Sequence, residues 1–145
     1  MANPRATVRF TEINIHTTTY LRLASGTGAI DFLRTAVNPY PSSPSTQLGY
    51  AASITTAKTA RAGQAGDRLL GKIVGVNQDA VVIQDQGYAE FSYIAGGSAP
   101  TIGTGVVCDG SGGVKIWTSS SEYLGAHTVC VDLDTTNLIA TVLIR

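Results

Sequence analysis

Between Leu69 and Trp117 the chain is cut by turn residues into apolar runs too short for helices, and this limits its folds more than any other feature. Gly71 to Val76, Ala80 to Gln84, Tyr88 to Ile94, Thr104 to Cys108 and Val114 to Trp117 each alternate or run apolar over a strand's length. Asn77-Gln78-Asp79, Asp85-Gln86-Gly87 and Asp109-Gly110-Ser111-Gly112-Gly113 separate them. Asn, Asp and Gly tolerate the positive φ of tight connections, so these are read as hairpin turns. Strands at such spacing, with no helical pattern between them, predict an all-β and mainly antiparallel fold, a small β-sandwich or barrel-like domain.

The flanks are read around that ladder. Residues 1–25 are expected to hold an extended N-terminal arm and a first strand, because the β-branched run TVRFTEINIHTTTYLRL slips phase between Val8/Phe10 and Ile13/Ile15. Residues 26–68 read as a loop-rich insertion. Ala29, Ile30, Leu33 and Val37 have the spacing of at most one short helix, which Thr27 could cap, with a strand as the alternative, and Pro39, Pro41 and Pro44 end any regular element. The Ala/Thr stretch 46–68 favours neither helix nor strand and is read as a partly mobile loop. Residues 69–145 form the β core domain, closing in a hairpin that turns at Asp134-Thr135-Thr136-Asn137. In its first strand Val129, Val131 and Leu133 share one face, with Cys130, Asp132 and Asp134 on a more polar one.

Charge narrows the partners. Only 14% of the 145 residues are charged and the net charge is zero, so no overall field draws the chain to nucleic acid or to an anionic membrane. The distribution is lopsided. Residues 1–72 hold eight basic side chains against three acidic ones, and residues 73–145 hold two against seven. This suits intramolecular pairing, or a basic arm lying on an acidic surface of a neighbouring subunit. MANPRATVRF lacks the apolar core of a signal peptide, and no run reaches the ~18 apolar residues of a membrane span. Cys108 and Cys130 are too few for a zinc motif and are expected as free thiols in a reducing cytoplasm.

Little in the chain reads as catalytic. Asp109-Gly110-Ser111-Gly112-Gly113 echoes the GDSGG of trypsin-like proteases, but with Asp and Gly transposed and no supported His. Gly26-Thr27-Gly28 lacks both the third Gly of a dinucleotide loop and the Lys of a phosphate loop. His16 and His127 are isolated, and Asp132 with Asp134 supplies two carboxylates where a cation site needs further oxygens. Glu90 with any Asp gives the residue types of a glycosidase pair without fixing their separation. No catalytic residue, metal site or cofactor is therefore assigned, and the chain is expected not to be an enzyme. Phe91 and Tyr93 share a strand face without interleaved Lys or Arg, which makes them core and not a stacking platform for nucleic acid.

The run GKIVGVNQDAVVIQDQGYAEFSYIAGGSAPTIGTGVVCDGSGGVKIW, followed by YLGAHTVCVDLDTTNLIATVLIR, resembles the head decoration (capsid cement) proteins of tailed bacteriophages. The likeness lies in glycine and valine steps: Gly71 to Val76, Gly87 to Ala95, Gly96-Gly97, Gly103 to Val107, Asp109 to Gly113, and Leu124-Gly125 through Leu143. It covers roughly the C-terminal half; the prolines of 39–44 and the Ala/Thr stretch have no counterpart in it. The resemblance implies a virion protein, made in the host cytoplasm, that assembles as a homo-oligomer (a trimer before a dimer) on the outside of an icosahedral head. There it clamps adjacent subunits of the major capsid protein. On that reading Arg5, Thr7, Val8, Arg9 and Phe10 are the candidate capsid contacts, adding as a strand to a sheet edge of the capsid protein. Trp117, lone Trp and either core lid or interface anchor, joins Tyr88 as a candidate for the oligomer interface. The rival reading is a non-enzymatic carbohydrate- or receptor-binding module of a coat or tail.

Overall fold

The computed structural model describes residues 18–23, 48–56, 59–76, 80–118 and 128–145, and every regular element among them is a strand. In chain order they are β1 (Thr18–Leu23), β2 (Ala51–Thr56), β3 (Thr59–Ala62), β4 (Gly71–Val76), β5 (Ala80–Gln84), β6 (Gly87–Ser92), β7 (Val106–Cys108), β8 (Val114–Ile116), β9 (Thr128–Asp134) and β10 (Ile139–Ile144). The all-β, mainly antiparallel expectation holds. The arm over the first residues, the short helix near 29–37 and the turn at 77–79 lie outside the described residues.

Five strands pair in a ring, β1-β3-β2-β4-β5, with β5 returning to β1. Only β1 with β3 is parallel; the other pairings are antiparallel. The inside of so small a ring is narrow, so small and β-branched side chains fill it. Ala52, Ala60, Ile73, Val81 and Ile83 are wholly buried there, with Tyr50, Leu70 and Val76 packed on them. Gly71 is required where β4 meets β5: a Cβ there would run into the Gln84 carbonyl oxygen and lie 2.7 Å from an Ile83 methyl.

The loop reading of residues 46–68 changes. The Ala/Thr stretch read as mobile loop contains β2 and β3, which share their core with β4 and β5. The inward positions of β2 and β3 are Ala, so they carry almost no apolar signature. Nothing local distinguishes them from loop until the ring closes around them.

The remaining strands make a second layer, a three-stranded sheet β6-β10-β9 and a hairpin β7-β8. Gly105 bridges to Val129, and the Gly103 and Cys130 amides donate to the Cys130 and Thr104 carbonyls at 2.7 and 2.9 Å, which ties the hairpin to β9. Phe91, Tyr93, Val106, Cys108, Val114, Cys130, Ala140, Val142 and Ile144 form its core, and Ala51 and Leu69 join it from the ring side. Phe91 and Tyr93 are core, as their parity predicted. Cys108 and Cys130 are free and buried. Burial pushes the Cys108 thiol up to about 12, with the Asp67 and Asp109 carboxylates adding to it, and burial raises Cys130 as well.

Two further expectations change. Asp85-Gln86-Gly87 is not a hairpin turn, because β5 pairs with β4 and β1 whereas β6 pairs with β10. Gly87 (φ +92°) turns the chain from one sheet into the other. A turn residue marks where the backbone bends, not which strand it will meet. In β9 the expected faces are also reassigned. Thr141 faces Asp132 and Val142 faces Cys130, so Val131 is an extra, bulged residue and is 36% exposed. The bulge shifts the alternation by one. Cys130 therefore points into the core before it, and Leu133 packs on the core after it.

Two of the turns read as hairpins from composition, at 109–113 and 134–137, are hairpins. In the β7-β8 loop Asp109 Oδ1 accepts from the Ser111 and Gly113 amides at 2.6 and 3.0 Å, while Gly110 and Gly112 take φ of +92° and +94°. In the β9-β10 turn Asp134 Oδ1 accepts from the Thr136 and Asn137 amides at 3.0 and 3.1 Å. Both loops are Asx turns, in which a carboxylate satisfies backbone N–H groups that the bend takes out of the ladder.

Candidate interaction surface

Alternation builds one broad face from the second layer. Ala89 and Phe91 of β6, Ala140, Val142 and Ile144 of β10, and Thr128 and Cys130 of β9 point inward. Their neighbours must point out. The register then sets three rows across β6, β10 and β9: Tyr88, Leu143 and Val129; Glu90, Thr141 and Asp132; Ser92, Ile139 and Asp134. The first row is apolar with one phenol. The second and third carry three carboxylates, so much of the acidity of the C-terminal half is gathered on one face. Thr141, central in the middle row, is only 6% exposed, whereas Ser92 at the rim is open.

At the end of β10, on the inner side to which Thr128 and Ile144 point, lies a groove of about 480 Å³ lined also by Ile54, Arg68, Leu70, Asp85 and Arg145, among others. Arg68 and Arg145 are exposed, and Ile54 is 51% exposed. Asp85 lines the same groove as these two arginines.

Behind this side the ring is fastened to the hairpin by a polar knot that the sequence did not announce. Asp67 Oδ2 accepts from Ser53 Oγ at 2.7 Å, Arg61 Nη2 at 2.7 Å, Arg61 Nε at 3.1 Å and the Gln64 amide at 2.9 Å. The Asp67 carbonyl accepts the Cys108 amide at 2.9 Å, so one residue holds β2, β3 and β7 together. Burial pushes its carboxyl up, but the Ser53 hydroxyl, the Gln64 amide and the Arg61 guanidinium outweigh this and hold it below its ordinary 3.8. A depressed carboxyl stabilises the fold above that ordinary value and loses its contribution as pH falls through the folded one. Asp67→Asn is therefore expected to cost about 2 kcal/mol at neutral pH. Its deficit against the parent should shrink as the pH is lowered below about 4. Urea titrations of both proteins at several pH values check this; a pH-independent gap would show that the charge is not what matters.

The residues singled out from sequence scatter. Tyr88 is half-buried on the outer face, in the row nearest the groove. Trp117 is half-buried beyond β8, its amide donating to the Gly105 carbonyl at 3.0 Å and its ring lying along Gly105. The two stand on different elements that do not pair with each other. Arg5, Thr7, Val8, Arg9 and Phe10 lie outside the described residues. The protease-like Asp109 to Gly113 segment is a turn whose Asp is engaged by its own backbone. Asp134 is likewise engaged by its turn, with Oδ2 accepting from Asn137 Nδ2 at 2.8 Å. Among the described residues there is no group of three or more His, Cys, Asp and Glu placed to hold a metal, and no helix long and apolar enough to cross a membrane.

Compared with known proteins, the chain matches no protein-family model, no curated protein and no solved structure.

Proposed function

We propose that this chain is a non-enzymatic structural protein that binds the outside of an icosahedral phage head and stabilises it by bridging major capsid protein subunits. The observation that carries the reading is the glycine and valine pattern from Gly71 to Leu143. The geometry supports it in kind. A body with two apolar cores, a ring and a sheet-plus-hairpin layer joined through Ala51, Leu69 and the Asp67 knot, is a rigid unit suited to clamping. Among the described residues Asp67 fastens strands together, and Asp109 and Asp134 are engaged by their own turns. The basic, β-branched N-terminal residues 5–10 offer main-chain donors and acceptors for strand addition to a capsid sheet edge. Many copies on a lattice convert a modest contact into firm retention. In this reading the protein works as a homo-oligomer on the outer capsid surface and needs no cofactor.

The test is size-exclusion chromatography with light scattering, on the purified protein alone and then with expanded, undecorated heads of the phage that encodes it. Co-elution at a fixed stoichiometry to the major capsid protein is expected. A protein that ignores such heads would overturn the reading and turn attention to glycan binding.

A further inference from the structure

Residues 63–68 run from the end of β3 across β7, and none of the six belongs to either apolar core. Ala65 and Gly66 are exposed, and Gly66 takes a φ of +86°. What holds the segment down is polar. The Gly66 amide donates to the Cys108 carbonyl and the Cys108 amide to the Asp67 carbonyl, both at 2.9 Å, and Arg68 bridges to Val107. The Asp67 carboxylate adds the bonds to Ser53 and Arg61. Beneath the segment lies a thiol. A Cβ on Gly63 would run into Cys108 Sγ, so the bare glycine backbone rests directly on the sulfur, which is wholly buried. A stretch with no apolar anchor and exposed small residues opens at lower cost than the ladders around it.

We infer that residues 63–68 are a strap over Cys108, latched by Asp67, which lifts off β7 and uncovers the thiol while both cores stay folded. The latch works because one carboxylate reaches two strands of the ring at once. Removing its charge leaves the Ser53 hydroxyl, 2% exposed, and the Arg61 guanidinium without their shared acceptor, so the closed state loses more than one bond. Cys130 has no such cover. It sits on β9 in the second core, its Sγ donating to the Asp132 carbonyl of its own strand, and its amide bonds to Thr104 and not to the strap. The two thiols of one molecule therefore report different openings. The inference stands apart from the capsid reading and goes beyond it.

The test alkylates the full-length chain with N-ethylmaleimide under native conditions and follows each cysteine by peptide mass spectrometry. Asp67→Asn is expected to speed modification of Cys108 on the order of tenfold or more. Cys130, remote from the latch, should change by no more than about twofold. Gly63→Ala reaches the same end by another route, wedging a methyl group against the sulfur while leaving the Asp67 bonds in place, and should also speed Cys108. Circular dichroism and melting curves show whether each variant is folded. The parent gives an independent reading should a variant fail to fold: in low urea its Cys108 rate should rise far less steeply than global unfolding does, because a strap exposes little surface. Cys108 modified only with the full unfolding slope would overturn the inference. So would folded variants in which Cys108 keeps the parent rate, or in which both thiols speed up together, since either result ties Cys108 to the unfolding of the whole body.

Discussion

Removing residues 1–10 is expected to abolish retention on expanded heads while leaving the melting temperature of the body unchanged. In extended chain Arg5, Thr7 and Arg9 share one face and Val8 and Phe10 the other, so the segment offers an apolar and a basic side together. Added to a sheet edge, it gains a row of main-chain hydrogen bonds along with those side-chain contacts. Among the residues whose side chains are described, by contrast, the two cores are built from Tyr50 onward, and the first described strand begins at Thr18. Binding and stability should therefore separate cleanly. Co-sedimentation with heads reads the first, and a thermal melt reads the second. A truncated protein that still saturates heads would move the capsid contact onto the body.

Phe91→Ala is expected to cost about 3–5 kcal/mol, a large part of the 5–15 kcal/mol that holds a typical domain together. Phe91 is 2% exposed and is the largest fully buried side chain among the described residues. Its strand neighbours on the inner face are Ala89 and, across β10, Ala140, which have no atoms to spare for filling the space left behind. The facing strand β10 is held by ladders on both sides, so collapse around the cavity is limited. At this chain length the loss corresponds to a melting temperature lower by roughly 10 °C or more. Urea titration at unchanged slope measures it directly. Phe91→Leu, which refills most of the volume, should recover more than half. A loss for Phe91→Ala below about 1 kcal/mol would mean that the second core tolerates repacking and is not the rigid unit described above.

Much of the C-terminal half could be read from residues alone. The strands from Gly71 to Gln84 and from Gly87 to Ser92 fall where alternation put them, and the Asp109 and Asp134 turns are set by carboxylates acting on the next few amides. These are local effects, complete within a handful of residues. The face carrying Glu90, Asp132 and Asp134 was half legible. The acids were visible, and their parity within each strand was visible. Their assembly into rows depends on β6 pairing with β10 and not with β5, which no local signal encodes.

By itself, then, the sequence determined the all-β class, the principal turns, the inward direction of Phe91 and Tyr93, and the lopsided charge. Each follows from backbone sterics or from side-chain period within one segment. Tertiary structure alone decided that Ala52 and Ala60 line a closed ring. It also decided that Val131 is bulged so that Cys130 turns inward, and that Ser53, Arg61 and Asp67 meet in one knot. The physical reason is common to all three. A small residue, an extra residue or a polar residue acquires its role only from the strand brought against it, and that partner is distant in the chain.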